Sequence, residues 1–112
     1  MSDVIDLVHL ARYTGGEKAM NAEILRLFDG QISEMVGQLR DVIAARDAKR
    51  WKEITHSIKG AAQGVGAFSF GDAAAAAEPV DPANAERASQ AVSRLAEEAM
   101  AVHDFIQQYL AA

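Results

Sequence analysis

The stretch "EKAMNAEILRLFDGQISEMVGQLRDVIAA", residues 17–45, decides the fold. Met20, Ile24, Leu27, Phe28, Ile32, Met35, Val36, Leu39 and Ile43 recur at steps of three and four residues. That is the period of one face of a helix, whereas a strand would alternate every second residue. Gly30 and Gly37 interrupt the run, each costing about 1 kcal/mol relative to alanine in a helix interior. The spacing therefore predicts one long helix from about Glu17 to Ala45, with any bend at a glycine.

Upstream, residues 2–13 read as a short helix with Val4, Ile5, Leu7 and Val8 turned inward. It stops at "TGGE", residues 14–17, where two glycines break the run. Thr14 and Glu17 have the spacing of a capping box for the long helix. Downstream, Asp47 is a good N-cap for a helix from about Ala48 to Gln63, with Trp51, Ile54, Ile58, Ala61, Ala62 and Val65 as its apolar stripe. Gly64 and Gly66 are predicted to end it.

"FSFGDAAAAAE", residues 68–78, reads as a fourth, shorter helix whose alanines allow close approach to a neighbour. "EPVDPANAE", residues 78–86, is a break, with Asp81 as N-cap and Pro82 at the first position of the last helix. That helix is predicted to run to about Leu110, with Ala85, Ala88, Val92, Leu95, Ala99, Val102, Ile106 and Tyr109 along one seam. No strand signal appears. The expected fold class is all-α: an antiparallel four-helix bundle of up-down topology, with an additional short N-terminal helix as a lid. Residues 1–112 are expected to form a single domain.

Composition narrows the function classes. There is no cysteine, which excludes disulfides and thiolate metal sites. No apolar run approaches the roughly 18 residues of a membrane span, and the first residues carry acids instead of a basic leader. A cytoplasmic protein with no membrane partner is expected. A net charge of −5 argues against nucleic acid as the main partner. The charge is uneven, however. Between Arg46 and Lys59 five residues are basic and two acidic, and His56 stands among them.

At about 100° per residue, His56 lies about 200° from Ile58, away from the apolar stripe. Lys52, Lys59, Gly60 and Gln63 share its face. A lone histidine is more often an ordinary surface residue than a functional one, so the neighbours must carry the case. Helical side chains lean toward the N-terminus, so a residue one turn later covers the surface beside a given side chain. Gly60 stands at that position and leaves His56 uncovered, although alanine would serve the helix better. Packing of a neighbouring helix against Gly60 is the structural alternative, weakened because Gly60 lies off the apolar stripe.

An exposed neutral imidazole is a nucleophile. If it took up a phosphoryl group, Lys59 one turn away would be a suitable counter-charge and donor. Lys52 and Gln63 are weaker candidates, and solvation is the plainer reading for Lys52. No base, oxyanion hole or nucleotide loop accompanies the histidine.

"HSIKGAAQGVGA", residues 56–67, with the helix ending at Glu78, closely resembles the histidine-containing phosphotransfer (HPt) domain. The family's His-x-(Leu/Ile)-Lys-Gly signature falls on His56, Ile58, Lys59 and Gly60. Its small residues and apolar-Gly-Ala run fall on Ala61, Ala62, Val65, Gly66 and Ala67, and its closing apolar residue and glutamate on Phe70 and Glu78. Upstream the likeness extends through Phe28, Leu39 and "ARDAKRWKEITH", residues 45–56, and so covers most of the chain. Phe70 replaces the usual leucine, and the alanine tract replaces more varied residues.

The resemblance implies that His56 accepts a phosphoryl group reversibly from the aspartate of a response-regulator receiver domain. It implies a relay step between a hybrid sensor histidine kinase and a final regulator. The chain would then be a phosphoryl carrier, not an enzyme with kinase activity of its own. It would need no cofactor, the Mg2+ belonging to the partner receiver, and would act as a monomer. Docking is expected on the His56 face, aided by apolar residues at the end of the first helix and the start of the second.

Three rivals remain. Glu53-x-x-His56 has the spacing of a di-iron carboxylate motif, but His9 and His103 both lack a glutamate three residues before. A sensor-kinase dimerisation domain would carry an acid directly after the histidine and a proline five positions on, where Ser57 and Ala61 stand. A non-catalytic helical-bundle binding module is the third, and the set of His56, Lys59 and Gly60 argues against it.

Overall fold

The computed structural model describes residues 3–112 and is all-helical, with no strand among the described residues. Five helices follow one another: α1 (Leu7–Thr14), α2 (Lys18–Ala45), α3 (Ala48–Val65), α4 (Phe68–Ala77) and α5 (Ala85–Ala111). α2 packs against α3 and α5, and α4 packs against the same two helices, closing a ring around one continuous core. α1 rests on α2 and α3. The molecule measures 44 × 25 × 22 Å, its long dimension being about the length of α2 at 1.5 Å per residue.

The core is mainly aliphatic, with three buried aromatics, Phe28, Trp51 and Phe70. Leu25, Phe28, Ile32, Val36, Leu39 and Val42 line the buried side of α2, and Ala88, Val92, Leu95, Val102 and Ile106 that of α5. Phe28 and Phe70 meet edge-on across the centre, 6.3 Å between ring centroids. Burying large apolar side chains of this kind contributes about 1.5–3 kcal/mol each. Met20 and Leu27, counted in the predicted seam of α2, stay exposed, while Leu25 and Val42 take their place. Because α2 faces two neighbours, its buried stripe is centred between them and not on the densest apolar run.

Three boundaries differ from expectation for identifiable reasons. α1 begins at Leu7, because the Asp6 carboxylate caps it by accepting from the N–H groups of Val8 and His9 at 3.0 and 3.1 Å. Leu10 and Thr14 then face inward, Val8 is exposed, and Ile5 is buried from a bend that precedes the helix. The predicted start at Ser2 lies outside the described residues.

The capping box of Thr14 and Glu17 does not form. Glu17 occupies the N-cap of α2 with no side-chain cap bond. Thr14 instead ends α1 and donates to Asn21 Oδ1 at 2.6 Å, and Asn21 Nδ2 donates to Tyr109 Oη at 3.1 Å. This buried polar chain ties α1, α2 and α5 together.

α5 starts after Asn84, whose side chain accepts from Arg87 N–H at 3.2 Å. Asp81 makes a separate turn, accepting from Ala83 N–H at 2.9 Å, so Pro82 precedes the helix and does not open it.

α3 follows its prediction closely. Asp47 caps it by accepting from Arg50 N–H at 3.1 Å. The helix runs past Gly64 to Val65 and is ended by Gly66 at φ +90°. α3 and α4 approach closely, as the alanine tract foretold. A Cβ placed on Gly71 would stand 3.4 Å from Ala62 Cβ.

Candidate functional site

α3 turns Ile54, Thr55 and Ile58 into the core and His56 outward, its side chain 70% exposed. The outward phase follows from burial of the residues on the opposite side of the helix. One turn on, Gly60 is exposed, and apart from its chain neighbours and its own helix backbone no heavy atom lies within 4 Å of where its Cβ would be. No neighbouring helix packs there, so the structural alternative for this glycine fails. The space above His56 is open.

The second partner of His56 comes from the end of α4. Glu78 follows the last helical turn and places Oε1 3.3 Å from His56 Nδ1 and Oε2 3.7 Å from Lys59 Nζ. Glu78 is largely buried and Lys59 half-buried, so the carboxylate bridges two side chains of α3 in partial shelter from water. A carboxylate facing Nδ1 favours the proton on that nitrogen and leaves the lone pair on Nε2, at the opposite edge of the ring.

Lys52 is exposed and lines an open hollow with Lys49, Glu53, His56 and Glu78. Gln63 is exposed two turns beyond His56, its stem beside Gly71 of α4; it makes no hydrogen bond to the His56 group. The structure thus brings together His56, Lys59 and Glu78, keeps Lys52 at the rim and Gly60 as a gap, and leaves Gln63 apart. The contact of Glu78 with His56 was not read from the sequence. Its only signal there was the glutamate closing the family-like motif.

The other histidines lie elsewhere. His103 is about half exposed and pairs with Asp29 across α5 and α2, Nδ1 to carboxylate 2.9 Å. His9 is partly buried between Tyr13 and Phe68, edge-on to both rings, and its Nε2 is buried without a hydrogen-bond partner.

A shallow groove between α2 and α3 runs beside the site, lined by Gln31, Glu34, Met35, Gln38, Ser57 and Ala61. No helix among the described residues is long and apolar enough to cross a membrane. Compared with protein families, characterised proteins and solved structures, the chain shows no significant match.

Proposed function

We propose that this chain is a histidine phosphotransfer protein, which takes a phosphoryl group from a receiver-domain aspartate onto His56 and passes it to another response regulator. The observation that carries the reading is an imidazole whose side chain is 70% exposed, with Nδ1 3.3 Å from Glu78 and a glycine, open to solvent, one turn on at position 60. The resemblance of residues 56–78 to the HPt signature, which rests on the same His56, Lys59, Gly60 and Glu78, points the same way. Within this reading α2, α3, α4 and α5 form the antiparallel up-down bundle, α1 being the additional helix. The two-residue connections at Arg46–Asp47 and Gly66–Ala67 favour antiparallel neighbours.

The chemistry balances without a base in this chain. The Nε2 lone pair attacks phosphorus in line with the aspartyl oxygen; the N–P bond forms as the P–O bond breaks, and the carboxylate leaves. The proton stays on Nδ1, so the ring becomes an imidazolium facing the Glu78 carboxylate. Lys59 turns from Glu78 to the phosphoryl oxygens as their counter-charge. In the return step the receiver's aspartate attacks the same phosphorus and the ring leaves neutral. Positioning supplies most of the rate, with Mg2+ held by the receiver and no cofactor held here.

The receiver docks over Gly60 and the groove between α2 and α3. Leu27 shares a face of α2 with Gln31, Glu34 and Gln38 by helical phase. Leu27, Tyr13 and Met20 are all exposed and provide the apolar contacts. The upstream partner is a receiver domain of a hybrid sensor kinase, and the carrier acts as a monomer in the cytoplasm.

The test is transfer from a phosphorylated receiver domain, followed as acid-labile, base-stable label on the chain. Wild type takes up label and His56→Gln takes up none. Label retained on the variant, or absent from wild type across several receivers, would overturn the proposal and leave the bundle as a binding module.

A further inference from the structure

We propose that Trp51 is a positioning residue for His56: its indole N–H fixes the end of α4 against α3 and so holds the Glu78 carboxylate at Nδ1. The consequence for transfer rate rests on the phosphotransfer reading. The placement of Glu78 does not.

Trp51 is 1% exposed, five residues before His56 on the inner side of α3. At about 140° around the helix from His56, it cannot reach the reacting nitrogen. Its Nε1–H donates to the carbonyl of Ala77 at 2.9 Å, within the buried interior. A buried indole N–H needs an acceptor, and the one it uses belongs to the residue before Glu78. The same carbonyl accepts from Val80 N–H at 3.0 Å. The turn that carries Glu78 is therefore tied on one side to its own chain and on the other to α3.

Beyond the Glu78 N–H to Ala74 carbonyl bond at 3.0 Å and the packing of Val80 on the core, no side chain other than Trp51 bonds to the backbone of this turn among the described residues. α4 has ten residues and no side-chain N-cap bond. Its inward face is Phe70, Gly71 and three alanines, so Phe70 is the only large side chain that the helix itself buries, two turns before Glu78. Beyond Glu78, Pro79 has no N–H with which to continue the helix. Glu78 itself remains helical at φ −54° and ψ −44°, so the direction of its side chain follows the backbone that Trp51 holds. Oε1 stands 3.3 Å from Nδ1, already at the long end of hydrogen-bond distances, so a displacement of roughly 1 Å would remove the carboxylate from the ring.

The chain holds one tryptophan, so its indole can be replaced throughout by 3-benzothienylalanine, which puts sulfur in place of the N–H at nearly constant shape. Trp51→Phe is the genetically encoded counterpart, and Glu78→Ala sets the size of a complete loss. The ring 15N shifts of His56, followed upward in pH until they no longer change, report which nitrogen carries the proton of the neutral ring.

The expected result is a wild-type ring protonated mainly at Nδ1, with both replacements moving the population toward that of Glu78→Ala. Phosphoryl uptake should fall about fivefold, the effect of one hydrogen bond on a rate. In the Glu78→Ala background neither replacement should slow it further. Unchanged 15N shifts in either folded replacement would overturn the proposal, as would an equal fold-loss with and without Glu78, because packing alone would then set the turn. If wild type accepts no phosphoryl group, the phosphotransfer reading fails and the 15N shifts still decide the role of Trp51.

Discussion

At Gly60 two substitutions separate the preference of the helix from the need of a partner. Nothing beyond its chain neighbours and its own helix backbone stands within 4 Å of a Cβ there, and the position is exposed mid-helix, so Gly60→Ala should stabilise the fold by about 1 kcal/mol. Its urea midpoint should rise at unchanged slope; a lower midpoint would mean that the glycine has a structural role. Gly60→Gln should also fold, yet slow transfer from a receiver by tenfold or more, because its side chain leans toward the imidazole. Unchanged transfer would refute the argument from access. The outward face of His56 was legible in the sequence because Ile54 and Ile58 fix the phase of α3. The contact with Glu78 was not, since it depends on where α4 ends against α3, a packing outcome that helical periodicity does not encode.

Among the elements, the turn between α3 and α4 bears most on the site, because it sets how α4 returns along α3. Gly66 takes φ +90°, and a Cβ there would come 2.8 Å from the backbone oxygen of Asp6, whose N–H donates to the Gly66 carbonyl at 2.9 Å. Gly66→Ala therefore combines a left-handed strain of about 1–2 kcal/mol with a clash against backbone. A loss of at least 2 kcal/mol in denaturant unfolding is expected, whereas Gly30→Ala, in open space on α2, should gain about 1 kcal/mol. Equal effects at the two sites would contradict the close approach of residue 6. The sequence marked this turn through its glycines and marked the start of α3 through Asp47. It misplaced the start of α5 because Asp81 and Asn84 both have capping chemistry, and only packing chooses between them. It misplaced α1 because the apolar residues Val4 and Ile5 precede the cap at Asp6 and serve the core from a bend outside the helix.

Over the whole molecule, charge is divided against its average. The chain has 11 basic and 16 acidic residues. Five basic and two acidic ones fall between Arg46 and Lys59, leaving six against fourteen elsewhere. Lys49 and Lys52 border the hollow beside His56 and form no ion pair among the described residues. Such a patch attracts an acidic surface at long range while the rest of the molecule repels it, so it orients a partner before contact. A receiver presenting its acidic phosphorylation site would be steered onto this face. Its association with the chain should then slow as salt rises from about 0.01 to 0.15 M, over which the Debye length falls from roughly 30 to 8 Å. Reversing one charge at the rim, Lys49→Glu, should lower the second-order rate constant of transfer several-fold at low salt and flatten its dependence on ionic strength. Arg94→Glu on α5, which makes the same change in net charge outside the basic segment, should have a smaller effect. If both reversals slow transfer equally, net charge and not the patch governs the encounter, and the basic segment is an ordinary solvated face.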